Sequence, residues 1–151
     1  MTPHLLRVGF GVTALGKGML RNELDGIGYY TQELGAMLTS KGHQIVPFQF
    51  GNAVFDQFLG QPVHHWPGYQ KTVLVSALTG MAMPGTSDLK GKVDLFHSTD
   101  HFIPRIKSVP HVATLMDVIP LSNPEWVTHR LRKTKNAIWK QSTRWPDHII
   151  T

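Results

Sequence analysis

The chain has 151 residues, 15 of them Lys or Arg against 10 Asp or Glu, and no cysteine. That length suits one domain with a real core and is short for two, and the lack of cysteine excludes disulfides and thiolate metal sites. No apolar run is long enough to span a bilayer and no signal-peptide pattern opens the chain, so a cytoplasmic protein is expected, and the net charge of +5 calls for an anionic partner: phosphate, nucleic acid or a lipid surface.

The first predicted element is a strand over the apolar run 5–12, followed by a glycine-spotted loop. Asp25-Gly26-Ile27-Gly28-Tyr29-Tyr30 then opens a helix, with Asp25 as N-cap and Gly42 as stop. Ile27, Tyr30, Leu34, Met37 and Leu38 fall on one face at helical spacing. A second strand over 44–50 completes a strand–loop–helix–strand unit of a parallel sheet. Small residues ahead of the helix let a ligand approach backbone N–H groups, and the positive end of the helix dipole favours an anion there. Gly9-Phe10-Gly11 is not a dinucleotide fingerprint, because the third glycine is missing at the right offset.

Residues 51–70 read as mostly loop, punctuated by Gly51, Gly60, Pro62, Pro67 and Gly68. The adjacent pair His64-His65 lies there. Neighbouring loop residues rarely converge on one ion and no other ligands match in spacing, so no metal site is expected. Residues 71–79 fit a strand or a short helix, and a crossover favours the helix. Loop over 81–92 leads to short strands over 93–98 and 111–116, the second ending at Asp117. Ligands gather at the carboxyl ends of parallel strands. The loop up to Gly28, the stretch from His97 to Asp100, and Asp117 should therefore share one rim.

A second long helix is expected from a cap at Ser122 or Asn123, through Pro124, to about Arg144. Val127, Leu131, Ile138 and Trp145 share its apolar face. Arg130, Lys133, Lys140 and Arg144 share another, with Trp126 beside them. That basic face is either a solvated helix side or an interfacial helix resting on anionic lipid. Nucleic acid ranks lower, since no reading motif is present. Residues 147–151 read as the start of another buried strand, which suggests half of a larger protein.

Several of these segments, taken in order, resemble the N-terminal domain of the family-four, GT-B-type retaining glycosyltransferases. They are Asp25-Gly26-Ile27-Gly28-Tyr29-Tyr30 with its helix, residues 93–98, Phe102-Ile103-Pro104, residues 110–121 and Pro124-Glu125-Trp126. The resemblance implies a Rossmann-like three-layer α/β/α fold with a mostly parallel sheet, one half of a GT-B enzyme. Residues 1–151 would be its acceptor-side domain, and the donor-binding C-terminal domain is absent from this chain. It further implies a nucleotide-diphosphate sugar as donor, a hydroxyl acceptor (a glycan or lipid), no metal and no other cofactor. Gly26, Ile27, Gly28, His97, Asp100 and Thr114 would bind substrate. Asp117 would be the catalytic carboxylate, orienting the acceptor hydroxyl more than abstracting its proton. One position departs from the family, which usually has Thr-x-His-Asp where this chain has Thr114-Leu115-Met116-Asp117. Methionine has no proton to give. That departure also leaves open a second class, a non-catalytic Rossmann-like binding module, or a degenerate fragment, anchored by its basic helix to a membrane or partner.

Overall fold

A computed structural model of the chain describes residues 4–52, 55–117, 122, 123, 125 and 132–151. Its elements in chain order are β1 (Arg7–Gly11), α1 (Thr13–Leu20), α2 (Gly26–Ser40), β2 (Gln44–Phe50), β3 (Gln57–Phe58), β4 (Gln61–Pro62), β5 (His64–Trp66), α3 (Tyr69–Thr79), β6 (Leu95–Ser98), β7 (His111–Thr114), α4 (Arg132–Ser142) and β8 (His148–Ile150). Six strands form one sheet in the order β5-β2-β1-β6-β7-β8, and every neighbouring pair is parallel. Counted along the chain, this is the 3-2-1-4-5-6 order of a Rossmann sheet. The expected α/β class with a parallel sheet is therefore the class observed. β3 and β4 form a separate antiparallel hairpin.

Apolar side chains alternate across the sheet and build a core on each face. Val8, Phe10 and Ile45 join Val12, Leu15 and Phe58 on one side, backed by Leu34 and Leu38 of α2. Phe48, Phe50 and Phe96 join Trp66, Val73 and Met83 on the other, backed by Ile138 and Trp145. A parallel sheet covered on both faces explains why β1 and β2 read as nearly continuous apolar runs. Pro47 fits inside β2 for a local reason. Gln44 and Val12 hydrogen-bond across the β1–β2 seam, whereas the Gly51 N–H turns to Trp66 of β5. The missing N–H of Pro47 faces that second side, and β5 begins only opposite Phe48.

Gly9 lies between the large side chains of β1, on the Phe96 face. A Cβ there would stand 2.7 Å from Phe96 Cδ2. Gly9→Ala is expected to cost about 1–3 kcal/mol through forced displacement of a packed ring. A urea midpoint equal to that of the parent would refute this.

Five expectations need correction. The loop expected after β1 contains α1. Gly16 and Gly18 argue against a helix, but Gly16 is required by packing, since a Cβ there would lie 3.0 Å from both Gln49 Oε1 and the Phe55 ring. Tertiary contact overrides propensity here. On α2, Met37 is exposed. The buried stripe runs instead through Gly28, Thr31 and Gly35, and Phe58 of the hairpin packs onto Gly35. Residues 51–70 supply the β3–β4 hairpin and also β5, whose Trp66 packs on Phe48, Phe50 and Phe96 with centroids 4.7, 5.2 and 5.3 Å apart. A short 3-10 turn, Thr86–Leu89, interrupts the loop expected over 81–92. β8 exists, but it is an edge strand with Ile149 and Ile150 exposed rather than buried. Residues 71–79 resolve as helix, within α3. Of the second long helix, α4 is described, and Pro124, Trp126, Val127, Arg130 and Leu131 lie outside the described residues.

Candidate functional site

The sheet order creates a switch point. After β1 the chain turns toward β2, and after β6 it turns toward β7, so the loops leaving these adjacent strands diverge and open a crevice at their carboxyl ends. Short polar contacts tie the crevice floor. Thr99 Oγ1 donates to the Gly11 carbonyl at 2.7 Å, and Thr31 of α2 donates to Thr99 Oγ1 at 2.9 Å. Asp100 Oδ2 accepts the Ala14 N–H at 2.8 Å, and its Oδ1 accepts the Phe102 N–H at 2.9 Å. Asp100 is only 3% exposed. Its carboxylate is therefore the clamp between the two diverging loops.

Above this floor lies a cavity of about 630 Å³. Ile27, Asp100, Thr114 and Asp117 all line it, and so do Lys17, Tyr69, Phe102, Met116, Ile138 and Trp139. Four of the seven residues expected at a site thus meet around one space. Of the other three, Gly28 is buried, and its N–H donates at 2.8 Å to the Asp25 carboxylate that caps α2. That donor is occupied by an anionic group of the chain itself, which weakens the case for a phosphate at Gly28. Gly26 faces open space, with nothing within 4 Å of where a Cβ would stand. His97 does not line the cavity; it reaches the cavity through Thr114.

Thr114 Oγ1 lies 2.8 Å from His97 Nε2 and 3.0 Å from the Tyr30 hydroxyl. One threonine hydroxyl can donate to one partner and accept from another. Thr114 thereby joins α2, β6 and β7 at the cavity wall, and His97 fixes its rotamer from behind. Burial pushes the His97 pKa down to about 4, which keeps the ring neutral at physiological pH. Tyr69 donates to the Ile103 carbonyl at 3.1 Å, and burial raises its phenol well above the ordinary range, so it stays protonated.

Lys17, Phe102 and Trp139 are cavity residues that spacing alone did not select. The Lys17 ammonium sits 4.1 Å from the Phe102 ring centroid, a cation–π distance. Lys17 as a whole is exposed, yet burial of its head group lowers its pKa, opposed by attraction to Asp100. A partly desolvated cation at a switch point suits an anionic ligand group. Its only sequence signal was hidden, because it lies on a helix that glycines disguised as a loop. Phe102 had a signal in the Phe102-Ile103-Pro104 match.

The basic residues expected on one helix face separate. Lys133, Lys140 and Arg144 are all exposed, and the latter two join Arg105 around a second hollow of about 470 Å³. Among the described residues no three His, Asp or Glu side chains cluster to hold a metal ion, and no helix is long and apolar enough to cross a membrane.

No protein-family model matches the sequence, and no curated protein matches it. One solved structure similar to the chain is an alpha-glucosyltransferase in complex with UDP and a 13-mer DNA containing a HMU base, at 13% identity and a TM-score of 0.49. The match covers 96% of this chain and 37% of that one, so the chain spans little more than a third of that protein's length. A likeness that distant adds nothing to what the strand order already shows.

Proposed function

We propose that this chain is the acceptor-side half of a GT-B glycosyltransferase, one that moves a sugar from a nucleotide diphosphate to a hydroxyl of a glycan or lipid. The observation that carries the reading is convergence. Ile27, Phe102 and the pair Thr114 and Asp117 come from three separate segments of the family pattern, and they line one cavity at the carboxyl ends of parallel strands. Its walls combine aromatic faces for a sugar ring with a carboxylate, a hydroxyl and an ammonium. In the proposed retaining reaction the acceptor oxygen forms the new bond to the anomeric carbon, and the bond to the diphosphate breaks on the same face. The acceptor proton passes to the departing phosphate. Asp117 and Thr114 hold the acceptor hydroxyl, and Lys17 offsets phosphate charge. The remaining donor contacts belong to a C-terminal domain, and the work is cytoplasmic.

The full-length protein, given labelled nucleotide sugars, should transfer label to a hydroxyl acceptor. Lys17→Gln is expected to raise the donor KM about tenfold with kcat nearly unchanged, the effect of one lost charge-assisted contact of about 1.4 kcal/mol. No turnover with any donor would overturn the reading. Met116 favours a second one. It is 51% exposed and lines the cavity where the family has a histidine. A non-catalytic module would bind nucleotide sugar in calorimetry yet release no nucleotide.

A further inference from the structure

The large cavity is polar at its mouth and apolar inside. Lys17, Gln70, His101, Asp117 and Thr134 line it as exposed residues. Ile27, Val73, Leu115 and Ile138 line it as buried or half-buried ones, and Tyr69, Phe102 and Trp139 add three half-buried aromatic rings. Part of this aromatic wall is fixed in advance. Tyr69 and Phe102 meet edge to face with centroids 5.2 Å apart, and Phe50 packs on Tyr69 at 5.0 Å. The Tyr69 hydroxyl is anchored on the Ile103 carbonyl, and the Phe102 N–H on Asp100.

The buried polar groups of the wall are already engaged by the chain. The Thr99 hydroxyl donates to Gly11 and accepts from Thr31, and both Asp100 oxygens accept backbone N–H groups. Tyr69 gives its proton to Ile103. Thr114, between His97 and Tyr30, keeps one lone pair, enough for a single hydroxyl. The Trp139 Nε1–H has no partner, but it is sealed from any water-sized group. A glycan carries a hydroxyl on most of its ring carbons. Each one entering here would leave water for a wall whose buried hydroxyl protons are spent. An apolar ring gives up no hydrogen bond on entry and takes its apolar surface out of water. Met116, 51% exposed, continues the apolar lining outward with a thioether, which packs well against ring edges.

We propose that the acceptor is a compact fused-ring alcohol with an apolar body, whose rings enter the cavity and whose hydroxyl turns toward Thr114 and Asp117. Resting on the glycosyl-transfer reading, this narrows the acceptor from glycan or lipid to the apolar class, and within it to a rigid ring system. Size and shape favour rings over a long acyl chain. A space of about 630 Å³ holds one molecule of drug size. Fused rings lose less internal freedom on binding than a flexible chain does. Three aromatic side chains offer a ring the stacked and edge-on contacts that a chain uses poorly.

The test is calorimetry of the purified chain with three alcohols: 2-naphthol, octanol and methyl glucoside. The naphthol should bind about tenfold more tightly than octanol, a flexible alcohol of similar hydrophobicity, and about 100-fold more tightly than methyl glucoside. Met116→Gln, at an exposed position, should weaken naphthol binding about fivefold at an unchanged melting temperature. Ile27→Trp, which fills the space the rings would take, should weaken it about tenfold. The proposal is overturned if octanol or methyl glucoside binds as tightly as 2-naphthol, if none of the three binds, or if either variant binds 2-naphthol like the parent. No donor sugar enters this experiment, so the two readings fail separately. Naphthol bound by a full-length protein that turns over no donor would sink glycosyl transfer and keep the fused-ring site. Label transferred to a glycan by a protein that binds no naphthol would sink the fused-ring acceptor alone.

Discussion

Replacing Asp100 by alanine is expected to cost the domain about 3–5 kcal/mol. Both carboxylate oxygens accept backbone N–H groups, from Ala14 and Phe102, in a residue that is 3% exposed. Hydrogen bonds to a charged group are worth about 1.5–3 kcal/mol each, and buried donors left without a partner add their desolvation cost. Against a typical total stability of roughly 5–15 kcal/mol, such a variant sits near the edge of folding. Asp100→Asn should fall about halfway, since its amide keeps one acceptor oxygen and turns an NH₂ toward the other N–H. Urea unfolding gives the stability. Hydrogen exchange locates the cause, because the Ala14 and Phe102 amides should lose protection before those of β1. An Asp100→Ala protein within 1 kcal/mol of the parent would show that the two loops are held together by something else.

The second large effect is acid sensitivity. His97 and His111 sit on neighbouring strands, bonded through Nε2 to Thr114 and Ser98, and burial pushes each pKa down to about 4. Attraction to Asp147 partly offsets this for His111, and the nearness of His97 adds to it. In an unfolded chain each ring titrates near 6.5. Above that pH neither state takes the proton and the full stability is present. As pH falls from 6.5 toward 4, the unfolded chain binds protons that the folded one refuses. Each histidine then removes about 1.4 kcal/mol per pH unit. Between pH 7 and pH 5 the pair should cost about 3–4 kcal/mol. His97→Gln and His111→Gln should each take out about half of that slope. Stability that is flat over this interval, by urea unfolding at the two pH values, would contradict the origin assigned here.

Large, strongly patterned elements were legible from the residues. The Asp25 cap, the α2 helix and the β2 run each carry their signal locally, in capping chemistry and apolar spacing. What escaped was set by partners distant in sequence. α1 forms despite two glycines, because Gly16 fits against Gln49 and Phe55. β5 has three residues flanked by turn formers, and is a strand because Phe48 and Phe50 await Trp66. Met37 was placed inside by counting large apolar residues, when the fully buried positions of α2 are the small Gly28, Thr31 and Gly35 and only the half-buried Leu34 and Leu38 reach the core beside them. At the cavity, strand-end logic brought Asp100 and Asp117 together, since parallel strands all present their carboxyl ends on one side, and the family resemblance added Thr114. It could not tell that Asp100 spends both oxygens on backbone, or that His97 touches Thr114 and stops there. Those facts depend on side-chain direction, which strand order leaves open.

β1 lies at the middle of the sheet, flanked by β2 and β6, and so needs neighbours drawn from residues 44–48 and 95–97. During synthesis its second edge stays unpaired until some fifty further residues have followed β2 out of the ribosome. At roughly 5–20 residues per second, that is an interval of about 2–10 s. An open apolar strand edge held that long is a place for wrong pairing or chaperone capture. Nascent chains stalled after Phe50 should therefore aggregate more readily than chains stalled after Ser98 has emerged.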